Sequence, residues 1–374
     1  MKSILKKIEI ALRHGIVYPL MRLCLRNPIK NEKIDLQSVR RLLILRNDRI
    51  GDMVVSTPIF RKLKEKNPHL IIGVVAGPRN ADIIRHNPFV NELYIAHSNA
   101  WKLWKELRRC KAGRFDTIIN FIFNRTTSQG LLANYVAPRA YKVGQGAKKY
   151  QMYFNRLLTL DRTKKHMTEI MATVVDEIFG TTIGDEQLSP EIFIPDSAHA
   201  KVDAFLHRHG LSRANSAGTS GAYAVINFSA ADTLRHLSVE QTVQIIRAIN
   251  AWANDSPVLI APPGENKKLR QILAGLGPDE TKVYPPSGVA PLLEIASLVK
   301  GARYVVTCDT SLVHFASAAK TPAFVLFAPS ATTPHEWQPY GIRHQCLYAE
   351  GRLGVGSIPI ERIVKELLVF QATT

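Results

Sequence analysis

Two stretches of this chain hold acids, hydroxyls and a histidine at spacings that suit chemistry. The first is ILRNDRIGDMVVSTP, residues 44–58. An apolar run, Leu42–Leu45, ends in a turn over Arg46–Ile50, and Gly51–Asp52 open a segment with helical spacing through Lys66. A carboxylate at Asp52 either caps that helix by accepting from its free backbone N–H groups or points outward as a proton acceptor. The second is TCDTSLVHFASAAKTPAFVLFAPS, residues 307–330. Here a buried-strand pattern, Tyr304–Cys308, runs into the polar turn Asp309–Thr310–Ser311 and then a helix. The exposed N–H groups and positive end of that helix make an anion seat suited to phosphate. His314, one turn in on the same side, adds a hydrogen bond or a positive charge. Asp309 as a plain N-cap and His314 as a helix-face histidine explain the same residues. There is no GxGxxG and no GxxxxGK[ST].

Elements that would carry these turns alternate along the chain. Strand-like runs at 70–75, 93–95 and 117–121 are separated by helical segments, and Met167–Phe179 reads as a closing helix. The pattern then restarts with strands at 224–228, 258–261, 282–284, 304–308 and 323–327 and helices at 238–252, 266–276, 291–299 and 312–319. Such alternation predicts an α/β protein with two Rossmann-like halves, each a parallel sheet covered on both faces. Ligands bind beyond the carboxyl ends of strands in open sheets, so the two halves are expected to face an interdomain cleft. The organisation read is a basic amphipathic tail over 1–39, a first half over 40–180, a Gly/Ser/Thr-rich linker over 181–222, a second half over 223–356, and a C-terminal helix over 357–374.

Charge narrows the partners. The net charge of +18 is concentrated: residues 1–30 carry net +6, residues 101–165 carry net +12, and the rest of the chain sums to zero. Two basic patches on a neutral background suggest a localised anionic partner, whether nucleic acid, acidic lipid or an anionic glycan. In the tail, Lys2, Lys6, Glu9 and Arg13 share one helical stripe and Leu5, Ile8, Leu12 and Ile16 another, the pattern of a helix lying on anionic lipid or packed on the protein itself. The four cysteines, Cys24, Cys110, Cys308 and Cys346, lack metal or disulfide spacing and read as a reduced, cytosolic set. The run Gly15–Met21 is too short for a signal peptide, and no stretch approaches the roughly 18 apolar residues of a membrane span.

Taken together, the GD turn with Thr57–Pro58 after it, the D-T-x-x-x-H turn with F-x-P downstream, and PHEWQPYG at 334–341 resemble glycosyltransferase family 9, the heptosyltransferases of the lipopolysaccharide core. The resemblance spans about residues 40–345. It implies a GT-B fold, inversion at the anomeric carbon, and no cofactor or metal. It implies Asp52 as general base beside the cleft turn of Arg49 and Gly51. Asp309, Thr310, Ser311 and His314 would bind the diphosphate and nearby sugar of the donor, with Glu265 contacting its ribose. The family's usual Gly is Ser311 here. The lysine expected after the first strand of the second half is absent from the loop FSAADTLRHLS, which offers Ser229 and Arg235. Arg235 would bind phosphate bidentately or is an ordinary surface arginine. The donor expected is ADP-heptose and the acceptor an anionic, lipid-linked glycan, reached by peripheral contact at the cytoplasmic face of the inner membrane.

The chemistry accounts for these residue types. Inverting transfer needs a base to take the acceptor proton and positive charge to hold the departing diphosphate. Alternatives are a same-fold transferase with another nucleotide sugar or acceptor, a non-catalytic membrane-associated scaffold, or a nucleic-acid-binding protein. The chain lacks zinc-knuckle, RRM and KH signatures, which disfavours nucleic acid.

Overall fold

The structure, a computed structural model, describes residues 15–16, 18–25, 27–123, 126–214, 221–252, 255–329, 334–351 and 353–373. The tail stripe read over residues 1–14 lies outside them. Two parallel six-stranded sheets dominate. The first holds β1 (Arg41–Arg46), β2 (Ile71–Ala76), β3 (Glu92–Ile95), β4 (Thr117–Asn120), β5 (Tyr141–Gln145) and β6 (Arg156–Leu158) in the order β3-β2-β1-β4-β5-β6. The second holds β7 (Tyr223–Asn227), β8 (Ser256–Ile260), β9 (Lys282–Tyr284), β10 (Tyr304–Cys308), β11 (Ala323–Phe327) and β12 (His344–Tyr348) in the order β12-β11-β10-β7-β8-β9. Both follow the doubly wound strand order whose reversal point, between β1 and β4 or between β7 and β10, is where such sheets bind ligands.

The central strands are near-continuous apolar runs, as parallel strands covered on both faces must be. Strands β5, β6 and β12 escape the sequence reading because they carry polar residues: YKVGQ and HQCLY lack a long apolar run. Two of them, β6 and β12, are sheet edges. The linker region contains helix Asp196–Arg208, seated on helix Leu292–Gly301 of the second half. His199 Nδ1 meets Ser297 Oγ at 2.8 Å and Lys201 pairs with Glu294 at 2.7 Å.

One apolar cluster is continuous between the halves. It runs from Leu42 and Ile44 through Met53 and Val54 to Leu312 and Val313, and on to Val305 and Val325. Helices Ile50–Lys66 and Ser311–Ala319 meet at its centre. The outer face of the first sheet is covered by helices Ala100–Ala112 and Thr126–Val136, that of the second by the C-terminal helix Ile360–Ala372.

Helix Ile50–Lys66 tolerates an internal proline for a local reason. Pro58 has no N–H, so the carbonyl of Val54 loses its helical donor. The Thr57 hydroxyl donates to that carbonyl at 2.7 Å and accepts from the Glu191 amide at 2.9 Å. The Thr–Pro pair therefore repairs its own helix and ties it to the chain entering the second half.

Candidate active site

Asp52 does not cap its helix. The N-cap position is Arg49, which makes no side-chain capping bond, and Asp52 lies in the first turn. Its carboxylate instead accepts from Arg46 Nη2 at 3.2 Å. Arg46 is wholly buried, and each of its three guanidinium nitrogens is bonded. Nε reaches the Asp52 carbonyl and Ser56 Oγ, both at 2.9 Å. Nη1 reaches Asp48 Oδ2 at 3.1 Å and the Phe121 carbonyl at 2.6 Å. Asn80 fixes the same turn from β2's side, donating to the carbonyls of Arg46 (3.0 Å) and Arg49 (3.2 Å). Burial pushes the Asp52 carboxyl up to about 6, against the pull of Arg46; Asp48 adds to the rise, and Arg49 and Arg162 oppose it. An acid so poised changes protonation near neutral pH, which suits a general base.

Gly51 has a steric reason. A Cβ there would stand 2.5 Å from Cδ2 of His314, on the other half. The imidazole's Cδ2 abuts the glycine, so the GD turn and the D-T-x-x-x-H helix are in contact. Burial drives His314 down to about 3, with His166 and Arg46 adding repulsion. It is therefore neutral at ordinary pH, which corrects the positive charge considered for it. Its Nδ1 is buried and has no hydrogen-bond partner.

On the second half the capping residue is Thr310, not Asp309. Its hydroxyl accepts from the Leu312 amide at 3.2 Å. Asp309 pairs with Arg235, Nη1 to Oδ2, at 3.0 Å. Burial raises the Asp309 carboxyl, while Arg235 and then Arg49, from the first half, pull it down. Arg235 is thus neither a lone surface residue nor free in this state: it faces the D-T turn with a carboxylate as its partner. Ser229 is buried in the turn after β7. Asn227, unread in the sequence, fastens that turn to the next: Nδ2 donates to the Ser229 carbonyl (2.9 Å), Thr307 Oγ1 (3.0 Å) and Thr310 Oγ1 (3.4 Å). Glu265 occupies the N-cap position of helix Asn266–Ala274 but makes no side-chain cap.

Further residues close the gap between the halves. Arg162 Nε donates to the buried Glu336 at 2.6 Å and lies over the Phe123 ring at 4.4 Å. His166 caps helix Met167–Phe179 through Nδ1, which accepts from the Thr168 amide at 3.2 Å, so Nε2 carries the proton and donates to the Gln338 carbonyl at 3.1 Å. Its ring stacks on Tyr340 at 4.5 Å, and Trp337 meets His314 edge-on at 5.8 Å. The PHEWQPYG segment therefore serves as the seam's second side. Arg162 and His166 were hidden in the sequence inside a basic, loop-like stretch with no periodicity.

The arrangement is a buried carboxylate of raised pKa and a helix N-terminus with an arginine beside it, on facing halves. Among the described residues no group of three or more His, Cys, Asp or Glu is placed to hold a metal ion, and no helix is long and apolar enough to cross a membrane.

Known proteins share this plan. The family model described as glycosyltransferase family 9 (heptosyltransferase) matches residues 100–352. Lipopolysaccharide heptosyltransferase 3 of Escherichia coli K12 is 22% identical over 304 residues, covering 78% of this chain and 82% of that protein. The crystal structure of a family 9 glycosyltransferase from Veillonella parvula DSM 2008 superposes with a TM-score of 0.76 at 17% identity, covering 91% of this chain and 99% of that one. E. coli heptosyltransferase WaaC, solved with ADP, gives 0.67 at 18% identity, covering 88% and 99%. With a GT-B fold and a family match over more than half its length, the chain belongs to glycosyltransferase family 9, the heptosyltransferases.

Proposed function

We propose that this enzyme moves a heptose from ADP-heptose to the lipopolysaccharide inner core, with inversion and with Asp52 as general base. The observation that carries the reading is the Asp52 carboxyl, held by a buried arginine and raised to about 6 where the two halves touch. Ionised, it takes the proton of the acceptor hydroxyl as that oxygen attacks the anomeric carbon and the bond to the diphosphate breaks.

On the opposite side the positive N-terminal end of helix Ser311–Ala319 receives diphosphate oxygens, its Val313 amide being held by the Thr310 carbonyl at 3.3 Å. Leu312's amide is already taken by Thr310, so Thr310 acts as both cap and shaper of this seat. Arriving phosphate competes with Asp309 for Arg235, and a guanidinium that exchanges a carboxylate for a diphosphate neutralises the leaving group. Neutral His314 offers Nδ1 to a hydroxyl or phosphate oxygen of the donor. Ser229 and Glu265 line the donor side, Glu265 toward the ribose. Support for an adenine diphosphate comes from the neighbour solved with ADP, and for the acceptor from the name of the E. coli relative. The lipid-linked acceptor places the enzyme at the inner face of the inner membrane by peripheral contact.

A panel of nucleotide sugars tests the donor. ADP-heptose should raise the melting temperature and chase into the inner-core acceptor with an inverted linkage. Stabilisation by a uridine donor and none by ADP-heptose would replace the donor assignment while leaving the family intact.

A further inference from the structure

Helix Ala100–Ala112 of the first half presents an outer face that nothing in the transfer chemistry uses. Trp101 and Trp104 are 60% and 41% exposed, high for the largest side chain, and their rings stack on each other at 4.9 Å. Lys105 lies over Trp101 at 5.2 Å and Arg108 over Trp104 at 4.8 Å. The helix has five cations against one acid, Glu106, and that acid is paired with Arg109 at 2.7 Å. Lys102, Lys105, Arg108 and Lys111 are left facing outward. The adjoining helix Thr126–Val136 carries no charge, and its exposed Leu131 and Tyr135 extend the surface, Lys111 lying over the Tyr135 ring at 5.1 Å.

We propose that this face docks the enzyme on a bilayer rich in anionic headgroups, Trp101 and Trp104 entering the headgroup layer and the cations pairing with lipid phosphates. Indole rings with an apolar body and a polar N–H settle at that depth, and juxtaposed lysines and arginines are drawn by the negative surface potential. Charge argues against a second copy of the chain as occupant, since like faces would bring cation against cation. The position also fits. Only four residues separate β3 from helix Ala100–Ala112, so Trp101 and Trp104 stand at the carboxyl edge of the first sheet, the edge that carries the Asp52 turn. A lipid-anchored acceptor would meet the site from the surface on which the enzyme rests. The inference rests on the reading of a lipid-held acceptor and names the part of the protein that meets its membrane.

Sedimentation of the full-length protein with vesicles of phosphatidylcholine alone, and of an equal mixture with phosphatidylglycerol, tests it without donor or turnover, so its outcome is independent of the donor and base assignments. Wild type should bind the mixed vesicles and be quenched by brominated acyl chains. Lys102→Gln/Lys105→Gln/Arg108→Gln should lower the partition coefficient about a hundredfold, and Trp101→Ser/Trp104→Ser about tenfold. All five positions are exposed, and far-ultraviolet circular dichroism checks that each variant is folded. Partitioning of both variants equal to wild type would overturn the proposal and leave membrane contact to other residues.

Discussion

In the first sheet the acid-bearing turn follows β1 and an asparagine-locked turn follows β4. In the second the asparagine-locked turn follows β7 and the acid-bearing turn follows β10. Both locked turns read Ile-Asn-Phe, at Ile119–Phe121 and Ile226–Phe228. In each the asparagine bonds backbone two residues on: Asn120 Nδ2 to the Ile122 carbonyl at 3.1 Å, Asn227 Nδ2 to the Ser229 carbonyl at 2.9 Å. The acids between them are held differently. Asp52 is clamped by a wholly buried guanidinium, whereas Asp309 shares a part-exposed one. A carboxylate against a buried cation tunes a proton; one against a cation at the rim exchanges partners when an anion arrives. The same strand order thus supports a base on one side and a leaving-group site on the other.

The largest expected effect comes from breaking the sealed side. Asp52→Asn should lower kcat by about 10²–10⁴-fold with donor affinity little changed. The carboxyl is lifted above its ordinary range, so the folded chain keeps a proton that the unfolded chain releases. That contribution to stability is present at low pH and lost as pH rises through about 6. Asp52→Asn should therefore melt no lower than wild type at pH 8, and the difference should close as pH falls from about 6 toward the ordinary value of 3.8. A folded Asn variant transferring at the wild-type rate removes Asp52 from the mechanism. In the wild type, kcat/KM should climb about tenfold per pH unit toward a plateau above the Asp52 pKa, and a flat profile from pH 5 to 8 would contradict the assignment.

Breaking the contact between the sides comes next. Gly51→Ala puts a Cβ into the His314 ring, and overpacking of this kind costs about 1–3 kcal/mol. Thermal denaturation and kcat should fall together, although alanine is the better helix former. On the rim, Arg235→Ala should weaken binding of ADP about tenfold by calorimetry, the loss of one charge-assisted contact. It should leave the pH profile unmoved; a shift of that profile would mean the two sides are not separable. Thr310→Val is the smallest change in charge: it removes the cap, at about 0.5–2 kcal/mol of stability, and loosens the phosphate seat.

Much of this was legible in the sequence. Strands β9, β10 and β11 and helix Met167–Phe179 fall at the read boundaries because apolar runs end in polar turns. The two chemical turns were found as well, since an acid or hydroxyl just past a buried strand is a local signal. What was not legible depends on distance along the chain. Asp52 reads as a cap until Arg46 is seen to hold it, and the reason for Gly51 lies 263 positions away in His314. Asn227 looks like an ordinary polar residue until the pairing of β7 with β10 brings it to Thr310, and Arg162 and His166 do until the seam brings them to Glu336 and Gln338.

That seam also equips the protein with an optical gauge. His166 of the first half stacks on Tyr340 of the second, three residues from Trp337, so any parting of the halves to admit or release a ligand must separate that ring pair and change the surroundings of the segment that holds Trp337. Indole emission is sensitive to a neighbouring imidazole and to water. With Trp101 and Trp104 changed to Phe, much of the remaining signal originates at the mouth of the site. Stopped-flow fluorescence on that variant would time opening and closing directly, and show whether chemistry or the parting of the seam sets the turnover rate.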